Sequence, residues 1–353
     1  MQTLWQDLRY GAGVFIKQPA LALLAALALA LSLGAAQSVA QSPSRLLPDG
    51  YVKAKGAATD SATGLPKRVL HRASGVTLVL IPAGEFSMGS PTGEAERMDG
   101  EDQHRRIIHQ PFYLGETEVT VAQFRRFVAA TKYKTDAEAG TPLDAHRVGS
   151  FAALPHGDRT WSLLANWRNP FPNLPEYRRR DEHPVVHVSW NDAQRFCAHF
   201  GFQLPTEAKW EYAARAGSQT SYFWGDRAQD GADFANVNDE QARRRFKDTG
   251  QTLPFDDGAA LVTNVRRYRP NAWGLYDMVG NVLEWVEDAY VHCYPGDGAD
   301  ESAATGDNKA GRVLRGGSWL DSRTYLRSAV RVTMEEAARR DFIGFRIVKR
   351  LEP

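Results

Sequence analysis

The stretch Asn271-Ala272-Trp273-Gly274-Leu275-Tyr276-Asp277-Met278-Val279-Gly280-Asn281-Val282-Leu283-Glu284-Trp285 decides how the rest of the chain reads. Turn-forming residues break up its large apolar side chains, so it reads as an anchored loop. Asp277 and Glu284 set two carboxylates around a turn that Gly280 permits, with main-chain carbonyls between them. Calcium takes six to eight oxygens and mixes carboxylates with carbonyls, which this run can supply. The same residues also suit an ion-free turn in which Asx side chains bond their own backbone.

The texture extends outward through most of the 353 residues. Nine Trp, 12 Tyr and 16 Phe beside 30 Gly and 18 Pro imply a loop-rich fold packed around aromatic rings. Val76–Ile81 reads as a strand stopped by Pro82, and Phe86–Gly89 as a second. A helix follows the Thr120 cap, with Val121, Phe124, Phe127 and Val128 on one face. Another is expected from an Asn191 cap to Gly201, with Phe196, Cys197 and Phe200 inward. A third starts at Thr206 and turns Trp210, Ala213 and Ala214 to the core. The expectation is one α+β domain over 69–353.

Charge excludes some functions. Lys+Arg 43 against Asp+Glu 42 leaves +1, so no overall field favours nucleic acid. Two cysteines exclude a disulfide scaffold and a four-cysteine zinc site. No phosphate loop, nucleophile elbow or Ser/His/Asp order is present. His183 and His187 lie in an extended run and suit core hydrogen bonding better than metal ligation, and His104 and His109 flank another strand with no carboxylate–histidine motif nearby. Arg178-Arg179-Arg180 and Arg243-Arg244-Arg245 read as solvated runs balanced by Asp181-Glu182 and Asp239-Glu240.

The first forty residues differ in kind. Pro19 to Ala36 is uncharged and rich in Leu and Ala, preceded by Arg9 and Lys17 and followed by Ser38-Val39-Ala40. Residues 1–40 read as an export signal cut after Ala40, an uncut anchor at 19–36, or a buried helix. Either of the first two implies a periplasmic or secreted protein, touching membrane only through that segment. Residues 41–68 read as a linker.

Five blocks in order carry a resemblance. They are Ile81–Gly89, His183–Ala193, Leu204–Tyr212, Asn271–Trp285, and Arg315-Gly316-Gly317-Ser318-Trp319 with Ile343-Gly344-Phe345-Arg346. Together they resemble the formylglycine-generating enzyme (sulfatase-modifying factor) family. The resemblance implies that family's fold, a C-type-lectin-like variant low in regular secondary structure. It also implies structural calcium at Asp277, the carbonyls of Gly280 and Val282, and Glu284. A second calcium is implied at Asn236, Asp257 and the carbonyls of Val237 and Ala259.

The active enzymes of that family hold Cu(I) between two cysteines five apart after the Gly-Gly-Ser block. Here those positions are Asp321 and Leu326. A soft ion that prefers thiolate finds neither ligand, so no copper is expected. Cys197 lies on a helix stripe and Cys293 in a loop. Ser318, Asp321, Arg323 and Tyr325 remain as candidates in the family's substrate groove. They suit a peptide or small polar ligand. Three functions stay open: a calcium-stabilised binding domain, a divergent periplasmic oxidoreductase of the pyoverdine-maturation type, and a structural or sensor domain of an envelope assembly.

Overall fold

A computed structural model describes residues 47–140, 148–246, 251–292, 294, 301–305 and 311–351. The expected export segment and Cys293 lie outside them. No helix among the described residues is long and apolar enough to cross a membrane. Contacts divide the chain into a body, Pro48–Asp60 with Pro66–Pro353, and a smaller unit, Met1–Leu47 with Ser61–Leu65. In the described part of the smaller unit, 61–63 turn and Thr63 Oγ1 accepts the Leu65 N–H.

Strands β1 (Tyr51–Lys53), β2 (Arg68–His71), β3 (Val76–Ile81), β6 (Phe112–Gly115) and β13 (Val348–Arg350) form one sheet in the order β1-β2-β3-β6-β13. All its pairings are antiparallel. Every residue of β6 is buried, as a central strand covered on both faces requires. β1 corrects the linker reading of 41–68. Tyr51, Val52 and Lys53 pair with His71, Leu70 and Val69, and the Tyr51 ring packs 4.7 Å from His71. A three-residue strand is too short to show a period among Gly, Ala and Lys.

The second sheet, in the order β11-β10-β9-β12, uses β9 (Leu283–Ala289), β10 (Arg312–Arg315), β11 (Val332–Met334) and β12 (Ile343–Phe345). β12 runs parallel to β9, and the other pairs are antiparallel. β4 (Gly84–Met88) with β5 (His104–Ile108), and β7 (Ser150–Ala153) with β8 (Arg159–Ser162), make separate hairpins.

Helix α1 (Val121–Thr131) starts at Thr120, whose side chain forms a reciprocal capping box with Gln123. After the short α2 (Asp136–Ala139), α3 (Trp190–Phe200) packs on α1 through Phe124 and Phe196, stacked 6.0 Å apart. The cap of α3 is Ser189, two residues earlier than the expected Asn191. Ser189 Oγ accepts the Asp192 N–H while the Asp192 carboxylate accepts the Ser189 N–H, which draws Trp190 and Asn191 into the helix. α4 (Glu207–Arg215) is buried at every position, not on one stripe alone. α5 (Glu240–Arg245) is capped by Asp239, whose carboxylate accepts the N–H groups of Gln241 and Ala242.

Candidate functional site

Paired charges explain how α4 can be buried all round. Glu207 accepts two bonds from Arg331, and Lys209 meets Glu301 at 2.8 Å. Glu211 binds Arg215 at 2.9 Å, the Gly89 N–H at 2.9 Å, and Arg315. Arg315 also donates to the carbonyls of Ser328, Ala329 and Val330 and lies 5.3 Å over the Trp210 ring. Trp210 Nε1 donates to Glu284, whose carboxylate also holds Arg346. The His183–Ala193 block joins through Trp285 Nε1 to the Val188 carbonyl and Trp190 Nε1 to the Val286 carbonyl. The five sequence blocks are therefore one buried polar network around β9. An unpaired ion here would carry its full desolvation cost, so the residue types are narrowly constrained.

The segment after Gly317 is built differently. Ser318 is buried, and its Oγ donates to Asp321 at 2.6 Å. Burial pushes the Asp321 carboxyl up from its ordinary range, against the lowering effect of that bond. A short 3₁₀ turn, Arg323–Leu326, follows. Leu326 is buried in an apolar cluster with Tyr222, Leu253 and Val279. Arg323 points to a 2.5 Å ion pair with Glu96, whose carboxylate also accepts from Thr324. Tyr325 is 42% exposed. The four candidates thus split: Ser318 and Asp321 form an inner pair, while Arg323 and Tyr325 face outward. Neither thiol position supplies a copper donor set, since Leu326 has no ligand atom and Asp321 is bound to Ser318. Cys197 is buried, and burial raises its thiol pKa well above the ordinary value.

The two oxygen-rich loops touch each other. Asn281 N–H donates to the Asn236 carbonyl at 2.8 Å, and Asn236 Nδ2 to Asn281 Oδ1 at 3.1 Å. Gly280 has φ +78°, and a Cβ there would stand 2.3 Å from the Asn236 carbonyl oxygen, so only glycine fits. Asp277 Oδ2 accepts the Arg266 N–H, but buried Oδ1 has no partner. Glu118 Oε1 accepts from Asn281 Nδ2, and its buried Oε2 has none. Asn236 Oδ1 is a third such acceptor. Burial pushes the Asp277 carboxyl up to about 6, and burial followed by the Asp277 charge pushes Glu118 well up.

Orphaned buried oxygens in this setting are what a hard cation satisfies, so the donor chemistry fits calcium. Of the expected set, Glu284 already accepts from Arg346 and Trp210, which leaves its carboxylate a further lone pair. Glu118, absent from the sequence-based set, adds a buried carboxylate whose charge acts on that of Asp277. At the second place Asp257 Oδ2 accepts the Val237 N–H and Oδ1 the Ala259 N–H, and burial pushes that carboxyl up to about 7. Among the described residues no three His, Cys, Asp or Glu side chains group to hold a metal. A calcium ion would rest largely on carbonyl and amide oxygens.

The sulfatase-modifying factor enzyme 1-like domain matches residues 65–351. The chain belongs to this family. It is 37% identical over 285 residues to the formylglycine-generating enzyme of Streptomyces coelicolor, across 76% of this chain and 87% of that one. It is 36% identical over 258 residues to the inactive C-alpha-formylglycine-generating enzyme 2 of Bos taurus, across 70% and 77%. Its fold is similar to the structure of PvdO from Pseudomonas aeruginosa, with TM-score 0.62 and 26% identity over 79% of this chain and 95% of that one.

The family's α+β fold, low in regular secondary structure, is the one described above. The histidines of its second block are core groups. His187 bonds Ser150 Oγ and the Pro170 carbonyl, each at 2.7 Å, and burial pushes its pKa down to about 4. His183 bonds the Tyr177 hydroxyl at 2.5 Å and is pushed down to about 4 in the same way. The expected balance of the arginine runs holds at Glu240, which pairs with Arg243 at 2.7 Å, and is corrected at Asp181 and Asp239. Asp181 pairs with Arg125, Asp239 caps α5, and Arg245 pairs with Glu176. Sequence separation, not chemistry, hid these partners.

Proposed function

We propose that this chain is an exported, calcium-stabilised binding domain that takes a peptide or small polar ligand along 318–326 and makes no formylglycine by the copper route. One observation carries the reading. The two positions reserved for thiols in active relatives are used for internal structure, Asp321 by Ser318 and Leu326 by an apolar cluster. The outward Arg323 guanidinium and Tyr325 ring leave a donor and an aromatic face for a ligand. A relative named as inactive, at similar identity, agrees with a family that keeps the fold without this oxidation. The test incubates the purified chain with Cu(I), O₂ and a peptide carrying a sulfatase-type cysteine, then assays aldehyde by hydrazide capture and mass spectrometry. No aldehyde is expected; stoichiometric aldehyde overturns the reading.

Calcium belongs to the same proposal. Asp277 and Glu284, with the Gly280 and Val282 carbonyls and Glu118 beside them, would hold one ion, and Asn236, Asp257 and the Val237 and Ala259 carbonyls another. Chelation should lower the melting temperature, with about 2.7 kcal/mol at stake where calcium stands at about a hundred times its Kd. Asp277→Ala should blunt the response. An unchanged melting curve in chelator would count against it.

The likeness to PvdO favours a second reading, an oxidoreductase of the pyoverdine-maturation type. The raised Asp321 carboxyl, bonded to Ser318, would then serve as a proton acceptor. Asp321→Asn should abolish turnover under that reading and leave ligand affinity nearly intact under the first.

A further inference from the structure

An open cavity of about 650 Å³ lies between the loop that carries Tyr177 and the run 258–267. Five arginines line it: Arg178, Arg180, Arg245, Arg266 and Arg267. Its one lining carboxylate, Glu176, is taken by Arg245. Arg266 reaches out of the cavity to buried Glu116, which also holds Arg68. Asp181, next to Arg180 in the chain, is held by Arg125.

Three guanidiniums are left over. Arg178 donates to the carbonyls of Pro175 and Tyr177, and Arg267 to the Gly258 carbonyl and Thr263 Oγ1. Among the described residues neither these two nor Arg180 has a carboxylate within 4.0 Å. A chain with +1 overall has therefore gathered unneutralised positive charge in one concavity. Walls of low dielectric focus such a field and raise the local concentration of anions.

We propose that this cleft binds an extended acidic peptide segment. The guanidiniums come from separate stretches, 178–180 and 267, along a cavity lined by ten successive residues, 258–267. That spread suits several carboxylates in a row better than one compact anion. An extended peptide presents alternate side chains on one face, and each guanidinium fork can take a carboxylate in two bonds. None of the cavity's lining residues belongs to 318–326, so the inference stands apart from the groove reading above.

The test uses the full chain at constant saturating calcium, with a fluorescein-labelled alternating glutamate–glycine peptide read by anisotropy. Binding that weakens with added salt is expected, with none for a lysine–glycine peptide. Arg178→Gln with Arg180→Gln should weaken affinity roughly tenfold. Both side chains are exposed, so the fold should survive. Arg269→Gln, an exposed arginine outside the cleft, should change nothing. No binding of the glutamate peptide, or equal binding by the double variant, overturns the proposal. Tripolyphosphate that displaces the probe as well as unlabelled peptide at equal charge also overturns it, in favour of a phosphate compound.

Discussion

Arg315 and Arg323 stand eight positions apart, and each is paired with a glutamate. Arg315 and Glu211 are both fully buried, whereas the Arg323 side chain is 57% exposed and Glu96 28%. The same chemical pair therefore has two meanings. In the core, three carbonyls, the carboxylates of Glu211 and Glu207 and an indole face surround Arg315, and every alternative leaves an ion without water. On the 3₁₀ turn, water can replace either partner. Burial fixes the first pair, while solvent leaves the second replaceable.

The largest effect that would break this contrast lies in the core. Arg315→Leu removes the donor of Glu211 Oε2 and of three buried carbonyls, while Arg215 still holds Oε1. Unfolding in denaturant should show a loss of about 3–5 kcal/mol, or no soluble protein. A loss under 1 kcal/mol would mean that the network is slack. Leu326→Ala should cost about 2–4 kcal/mol by opening a cavity beside Tyr222 and Val279. A neutral result there would remove Leu326 from the core and reopen its position as part of a ligand surface.

A pH series sharpens the comparison next. Burial, with Glu207 beside it, pushes the Asp288 carboxyl up to about 7. The folded state then holds a proton that the unfolded chain has released above about pH 4. Stability from this group falls as pH rises from about 4 to 7 and is level beyond. Asp288→Asn should remove that slope, so the variant gains on the parent across the window, by at most about 4 kcal/mol. Denaturant midpoints at matched pH values give the difference curve, and parallel curves would refute the assignment. The smallest effect is expected at the surface, where Arg323→Ala should shift stability by less than about 0.5 kcal/mol. A ligand that binds along the turn would be lost in the same variant.

Helices α1 and α4 and strand β3 were readable because an apolar period or a cap announces them locally. β1 was not, since three residues carry no period, and the α3 cap was displaced because Ser189 and Asp192 form a box that outcompetes Asn191. Of the candidate site, Ser318 and Asp321 meet as their spacing allows, while Arg323 and Tyr325 turn away. Glu118 was invisible as a partner of Asp277, because no spacing rule connects residues so far apart in the chain. The basic cleft was hidden the same way: Arg178 and Arg180 have Asp181 beside them in sequence, and that acid is spent on Arg125.

The amino-acid order alone determined the family, the absence of a thiol pair at the copper positions, and the oxygen-rich loops, because each depends on residue identity over a short span. Tertiary structure alone decided which carboxylates are spent on arginines, which buried oxygens remain without partners, and where unneutralised guanidiniums gather. Those outcomes depend on desolvation and on long-range pairing, which only the folded chain sets.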